Sequence, residues 1–463
     1  MTEENHYLRG STTQVFFRTS VPIIVMMLVN GSFNLVDAYL LGMFVGSDAL
    51  AAVTATFPFT IFFVAISTLV ANGYASVMAR SLGGRDFSKA RGAYSQAITL
   101  SLLVSLSLMT LFLGSARSLT LAVNNGQEAL AAMSYEYLAI VAMAMPISFI
   151  LTVNGDTLRC EGHIRFMSLM SLATVALNAL LTYSLIVHFE LGVAGSAAGT
   201  VGAQTLALLG VAIFRRKNKG HLQLHVFQFS RRSNYWRDFL SLGAPASLRY
   251  VGLALSTAAI LYNLQGLPPE EYQLTVSAYG IITRLMTFVF LPLLGLSLAF
   301  QSIMGNTFGA GALNRSNDAI KTALIISVIY GSAIQLFILW QHENLGAWFV
   351  DDMQVVQKVG DILPVWTAAL FLMGPLMMIG MVFQSIGDAV RAAIMGIVKT
   401  YFFSIPLIFL LPAVWNVDYL WLASPGAEVL ALFVAIIVLL QRSRSGEYSW
   451  GLFFNETKSA ASS

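Results

Sequence analysis

Hydrophobic residues in this chain gather in long unbroken blocks, not in the period-2 alternation of a half-buried strand or the stripes of a water-facing helix. The blocks lie near 19–41, 49–79, 93–114, 131–155, 167–188 and 192–214. After a polar gap they resume near 239–263, 275–305, 320–340, 360–384, 393–413 and 420–440. A helix needs roughly 20 apolar residues to cross a hydrocarbon layer about 30 Å thick. The pattern therefore predicts twelve spanning helices, with the runs at 49–79 and 275–305 long enough to tilt or to extend into the cytoplasm. The first block is too long for a signal-peptide core and has no small-residue cleavage pattern behind it, so it reads as an uncleaved span.

Composition supports the same reading. Of 463 residues 57% are hydrophobic and 11% charged, against about 25% charged in a soluble domain. So few charges cannot cover a water-facing surface, and the remainder must face a bilayer. A single cysteine, Cys160, excludes an intramolecular disulfide. Lysine and arginine in the short loops set orientation. Arg9, Arg18, Arg80, Arg85, Lys89, Arg91, Arg159, Arg165, Arg315, Lys321, Arg391, Arg442, Arg444 and Lys458 fall on one side, with the basic stretch 215–237. Only Arg117 and Lys358 fall on the other, and Arg249, Arg284 and Lys399 lie inside or beside spans. Both termini are therefore expected in the cytoplasm. Topology accounts for the basic residues, so no nucleic-acid partner is expected.

The two halves of the chain resemble each other. Residues 75–91 (ASVMARSLGGRDFSKAR) align with 301–317 (QSIMGNTFGAGALNRSN), and CEGHIR at 160–165 aligns with SIGDAVR at 385–391, glycine on glycine. Pro22 pairs loosely with Pro245. Six spans per half bring the second half in with the orientation of the first. The expected fold is an all-α membrane protein of twelve transmembrane helices in two parallel six-helix lobes, related by a pseudo-two-fold axis along the membrane normal. Transporters commonly run the substrate path between such lobes. The expected divisions are an N-lobe at 1–214, a linker at 215–237, a C-lobe at 238–441 and a cytoplasmic tail at 442–463. His221 and His225 have the spacing of a metal pair, but no further ligand accompanies them. A solvated loop and no metal site are expected there.

Ionisable residues inside a membrane are expensive, so each is a functional candidate. Asp37 lies in the first span with no neighbouring Lys or Arg in sequence. Asn30, Asn34 and Asp37 follow an i, i+4, i+7 pattern and share one helix face. From the cytoplasmic end, Asp37 lies about 27 Å along the helical rise, in the outer half of the bilayer. Asn178 and Thr182 share a face of the fifth span, about 16 and 22 Å along it, and can face Asp37 within one lobe. A buried carboxylate with amide and hydroxyl neighbours suits a titrating proton or a hard cation such as sodium. The structural alternative is a capping or pairing role. Tyr39, Arg284, Gln384 and Met377 are weaker candidates for a substrate cavity, Gln384 and Met377 among the methionines Met373, Met378 and Met381. Lys399 is expected to snorkel to the cytoplasmic end of its span, and Glu428 to sit at the outer start of the twelfth helix.

These residues bring the chain close to a known family. NLVDAYLLGMFVGSDALAAVTATFPF in the first span and beyond, GYASVMARSLGGRDFSKAR, FLPLLGLSLAFQSIMGNTFGAGALNRS, and the pair EGHIR and SIGDAVR resemble the multidrug and toxic compound extrusion (MATE) transporters along essentially the whole chain. The resemblance implies two six-helix lobes around a central cavity in a bacterial inner membrane. It implies export of organic cations and other drugs against a proton or sodium gradient, with no other cofactor. The first-span acid of bacterial members carries onto Asp37 and the fifth-span amide onto Asn178. Many bacterial members place an aspartate where this chain has Thr182, and another branch carries a seventh-span carboxylate that is absent here. The chain thus resembles the branch with its coupling site in the N-lobe, with one carboxylate fewer, which leaves Asp37 as the main proton candidate.

Other readings have their own signatures. A flippase for a lipid-linked oligosaccharide would line its cavity with several basic residues, for which only Arg249, Arg284 and Lys399 are available. A membrane enzyme would need acids, histidine or a nucleophile clustered at one surface, and the sequence has no such constellation. A channel would not need duplicated lobes. Export of a dedicated natural product remains within the leading reading. Two lobes in one chain make a monomer sufficient.

Overall fold

The computed structural model describes residues 5–124, 126–217, 222 and 224–455. The helices of the first half are α1 (Thr12–Phe44), α2 (Ser47–Ala55), α3 (Phe57–Gly83), α4 (Phe87–Val123), α5 (Glu128–Met143), α6 (Met145–Cys160), α7 (Ile164–Val187) and α8 (Gly192–Lys217). Those of the second are α9 (Trp236–Leu264), α10 (Pro269–Gly309), α11 (Leu313–Leu345), α12 (Met353–Trp366), α13 (Leu370–Ile386), α14 (Ala389–Ile397), α15 (Ile405–Val414) and α16 (Ala423–Ser443). A short hairpin, β1 (Tyr448–Ser449) and β2 (Phe453–Phe454), follows.

Among the described residues ten helices are long and apolar enough to cross a membrane. Two further pairs, α5 with α6 and α12 with α13, pass together with a 49° bend, which brings the spans to the expected twelve. Proline makes two of the breaks in the chain. The run at 49–79 is two helices, because Pro58 opens α3, and Pro146 likewise opens α6. Proline fits the first turn of a helix but cannot continue one, since it lacks the N–H and its ring meets the carbonyl of residue i−4.

The internal repeat is visible in the backbone. Gly162 and Gly387, aligned by sequence, both adopt left-handed φ, at 85° and 90°. The aligned residues Arg85 and Gly311 do the same, at 57° and 68°. Each turn ends one helix and starts the next. In two of them the following aspartate caps the new helix: Asp86 accepts from the Lys89 N–H at 2.9 Å, and Asp388 from that of Arg391 at 3.2 Å.

The chain forms two compact units. One takes Val21–Gly243 with the residues up to His6; the other takes Tyr7–Ser20 and the chain from Ala244 onward. Of the three changes of unit, the later two fall inside α1 and α9, each two residues before a proline, Pro22 or Pro245. In the first unit Phe63, Phe112, Leu138, Met145 and Phe149 form an apolar cluster, with Phe63 and Phe112 edge to face at 5.7 Å. The second unit packs Tyr279, Trp366 and Trp421 together. There Arg315 donates to the carbonyls of Tyr7, Arg9 and Gly10, which ties the start of the chain to α11.

Two polar segments carry local structure that their composition does not announce. The connection between α8 and α9 is not a solvated loop throughout. Leu222, Leu224 and Val226 are buried, the Ser230 N–H donates to Thr99 and that of Tyr235 to Gln96, because the alternating apolar residues lie along α4. His225 is exposed, and His221 lies outside the described residues. The segment after α16 is not a plain tail either. Its hairpin is held by Asn317, which donates to the Phe454 carbonyl at 3.0 Å and accepts from the Phe454 N–H at 2.8 Å. Arg442 stacks over Tyr448, 3.6 Å from the ring centroid.

The left-handed turns make a paired prediction. Gly311 has open space around an added Cβ, so Gly311→Ala meets backbone strain alone, about 1–2 kcal/mol, less a smaller gain in chain entropy. Its apparent melting temperature in detergent should fall, whereas Arg85→Gly, which relieves the same strain, should melt higher. A Gly311→Ala protein that melts with wild type would refute the account.

Candidate functional site

One face of α1 carries the polar stripe. Asn30 lies 3.4 Å from Ser171 of α7. One helical stretch further on, the Ser196 hydroxyl of α8 donates to the Asp37 carboxylate, 3.0 Å from each oxygen. The side chain of Asn34 lies outside the described residues. Ser196 is the only hydrogen-bond donor that Asp37 has among the described residues. A carboxylate can accept about four hydrogen bonds, so lone pairs remain on both oxygens for a proton or a cation. Tyr137 of α5 lies within electrostatic range of the same carboxylate.

Behind Asp37 runs a directed chain of hydrogen bonds. Thr182 of α7 donates to the Asn178 side-chain oxygen Oδ1 at 3.1 Å. The Asn178 amide donates to the Thr200 hydroxyl at 2.9 Å, and Thr200 in turn donates to the Ser196 carbonyl at 3.3 Å. Every member of the chain thus has a partner, as buried polar groups require. Asn178 and Thr182 reach Asp37 through this relay rather than by direct contact. Their position depends on how close α7 and α8 approach. A Cβ on Gly199 would fall 2.4 Å from the Thr182 hydroxyl and 2.7 Å from its backbone nitrogen, so only glycine allows the crossing.

Ser196 and Thr200 were not singled out by sequence reasoning. They stand four apart on one face of α8, but in a span rich in glycine and alanine, where serine and threonine usually mark close packing. Their one signal was this spacing, which matches that of Asn178 and Thr182. Of the weaker candidates, Tyr39 is 61% exposed, and Arg284 is exposed with no ion-pair or hydrogen-bond partner among the described residues. Gln384 and Met377 are buried and line a cavity inside the second unit.

That cavity corrects a further expectation. Lys399 does not snorkel and Glu428 does not sit at its helix start; the two form an ion pair inside the second unit. The reasons are local. A turn of 3-10 helix, Val417–Leu422, precedes α16, so Glu428 falls well within the span. Lys399 lies in a π-helical stretch, Val398–Ser404, directly before Pro406. The wider turn accommodates the proline ring and the bond it cannot make.

The family model MatE matches residues 22–184 and 245–410, two segments that begin at Pro22 and Pro245. The multidrug export protein MepA of Staphylococcus aureus strain NCTC 8325 is 24% identical over 450 residues, covering 96% of this chain and 97% of that protein. MepA of Staphylococcus haemolyticus strain JCSC1435 is 24% identical and covers 94% of each chain. Among solved structures, an outward-facing multidrug resistance MATE family transporter superposes with a TM-score of 0.86 at 21% identity, over 97% of this chain and 100% of that one. A MOP superfamily transporter from Pyrococcus furiosus, described by the reverse polarity of its binding pocket, gives 0.85 at 22% identity, over 96% and 99%. With twelve spans, a repeated half and a family match across both halves, this chain belongs to the MatE family of membrane transporters.

Proposed function

We propose that the protein is a secondary active exporter, moving organic cations or related small drugs out of the cytoplasm in exchange for protons. The observation that carries this reading is the Asp37 carboxylate, set in a membrane-spanning helix and held by one hydroxyl donor. A charge at that depth is costly unless it is used. One carboxylate with a single hydroxyl in contact is enough to take up and release a proton. A sodium ion would need more oxygens at short range, although sodium remains the alternative coupling ion. The likeness to multidrug export proteins of staphylococci supports the substrate class.

The mechanism follows from what Asp37 can hold in each state. The deprotonated carboxylate takes the Ser196 hydroxyl and favours the state that accepts substrate from the cytoplasm or the inner leaflet. A proton from outside neutralises it, weakens its hold on Ser196, and shifts α1 against α8 so that substrate leaves outward. The relay through Thr200, Asn178 and Thr182 keeps α7 and α8 in register during the exchange. The proposed setting is a bacterial inner membrane with both termini in the cytoplasm and one chain as the working unit.

Two variants test the assignment in proteoliposomes loaded with a fluorescent organic cation. Under an imposed proton gradient, Asp37→Asn should abolish gradient-driven efflux, because the amide keeps the shape but cannot titrate. Normal efflux by Asp37→Asn would remove Asp37 from the mechanism. Ser196→Ala removes a hydrogen bond to a charged group, of about 1.5–3 kcal/mol, and should slow efflux roughly tenfold or more without abolishing it. Running both under a sodium gradient separates the two ions.

A further inference from the structure

The second unit holds a cavity of about 90 Å³ whose wall carries Arg249, Lys399 and Glu428 together with methionines 373, 377, 381 and 395. Its position follows from two close helix crossings. On α9, Pro245, Arg249 and Gly252 stand at i, i+4 and i+7, on one face. On α14 and the π-helical stretch that continues it, Gly396 and Thr400 stand four apart. A Cβ on Gly396 would fall 2.6 Å from Pro245, and one on Gly252 2.5 Å from Thr400. The Tyr401 hydroxyl also donates to the Leu248 carbonyl at 2.8 Å. These contacts draw Arg249 and Lys399 to a common seam.

Two polar groups in this cavity are left without partners. Lys399 takes one oxygen of Glu428, but the other, Oε2, is buried and has no hydrogen-bond partner. Arg249 is half-buried and has neither an ion pair nor a hydrogen bond among the described residues. Glu428, with its unmet acceptor, and Arg249, with its unmet guanidinium, each costly in a low-dielectric site, thus line one space. Since about 15 Å³ of such volume holds one water, the space suits the head group of a small molecule. The two cations against one carboxylate disfavour a simple cation, and the free carboxylate oxygen disfavours a simple anion. The methionines offer an adaptable apolar wall.

We propose that this cavity is a second binding site, separate from Asp37, for a zwitterion: its anionic group takes Arg249 and its protonated amine takes the free oxygen of Glu428. The same chemistry belongs to a soluble amino acid-like compound and to an aminophospholipid head group. Lys399 holds Glu428 in place and keeps the empty site from collapsing on a lone charge.

The test is equilibrium binding to the purified, detergent-solubilised protein, which does not depend on transport or on Asp37. The probes are 4-(aminomethyl)benzoate, benzylamine and benzoate. The zwitterion should bind at least tenfold more tightly than either singly charged analogue, and Arg249→Gln and Glu428→Gln should each erase that preference. Glu428→Gln strips Lys399 of its partner; if it does not fold, the Lys399→Met/Glu428→Gln double variant removes both charges and should show the same loss. Equal binding of benzoate and the zwitterion, equal binding of benzylamine and the zwitterion, or binding of none of the three would each overturn the proposal. Once binding is found, displacement by phosphatidylethanolamine but not phosphatidylglycerol assigns the site to a lipid head group, and no displacement assigns it to a soluble zwitterion.

Discussion

Close approach between helices is the constraint on which both polar sites rest. Lipid tails are as apolar as the side chains they meet, so within a bilayer hydrophobicity does not select helix partners; packing and polar contacts do. In the first unit the α7–α8 crossing depends on Gly199, and the side chain it admits, Thr182, is the start of the relay that ends at Ser196. In the second unit Gly252 and Gly396 play the same part, and the residues beside them are Arg249 and Lys399. Ser196 and Thr200 sit within a helical turn of Gly199, Arg249 within one of Gly252, and Lys399 within one of Gly396.

The two sites treat charge differently. Asp37 is a single carboxylate whose partner is a neutral hydroxyl, so gaining a proton removes its charge without leaving a counter-ion exposed. Glu428 is buried and tied to the half-buried Lys399, and neutralising it would leave that ammonium without its counter-ion. The first arrangement is suited to titration and the second to holding a fixed pattern of charge. This difference, rather than depth or burial, separates a residue fit to couple ions from one fit to recognise a ligand.

Most of the fold was legible in the sequence, and the reason is physical. A spanning helix must satisfy its own backbone and present about 20 apolar residues, which leaves an unmistakable block. The repeat was legible because turns demand specific backbone angles: Gly162 with Gly387, and Arg85 with Gly311, are left-handed in pairs. Asp37 and Asn178 stood out because they are polar against an apolar background. Ser196 and Thr200 did not, since small hydroxyl residues serve equally as packing and as partners. The Lys399–Glu428 pair was missed because it joins positions 29 apart in sequence through a π-helical stretch and a 3-10 turn, each of which shifts the register. Block boundaries read from hydropathy carry no record of such shifts.

The prolines connect these points. Pro22 and Pro245 open the two segments that match the family model, and each lies two residues past a point where the chain passes from one compact unit to the other. A proline inside a helix removes one backbone bond and crowds the preceding turn, so the helix bends there at lower cost than elsewhere. In α1 that point lies between the stretch that Arg315 anchors at Tyr7–Gly10 and the stretch that carries Asn30 and Asp37. In α9 it lies directly before Arg249. Each half therefore begins with a helix whose most yielding point precedes the residue it lends to a polar site, about four turns before Asp37 in α1 and about one turn before Arg249 in α9.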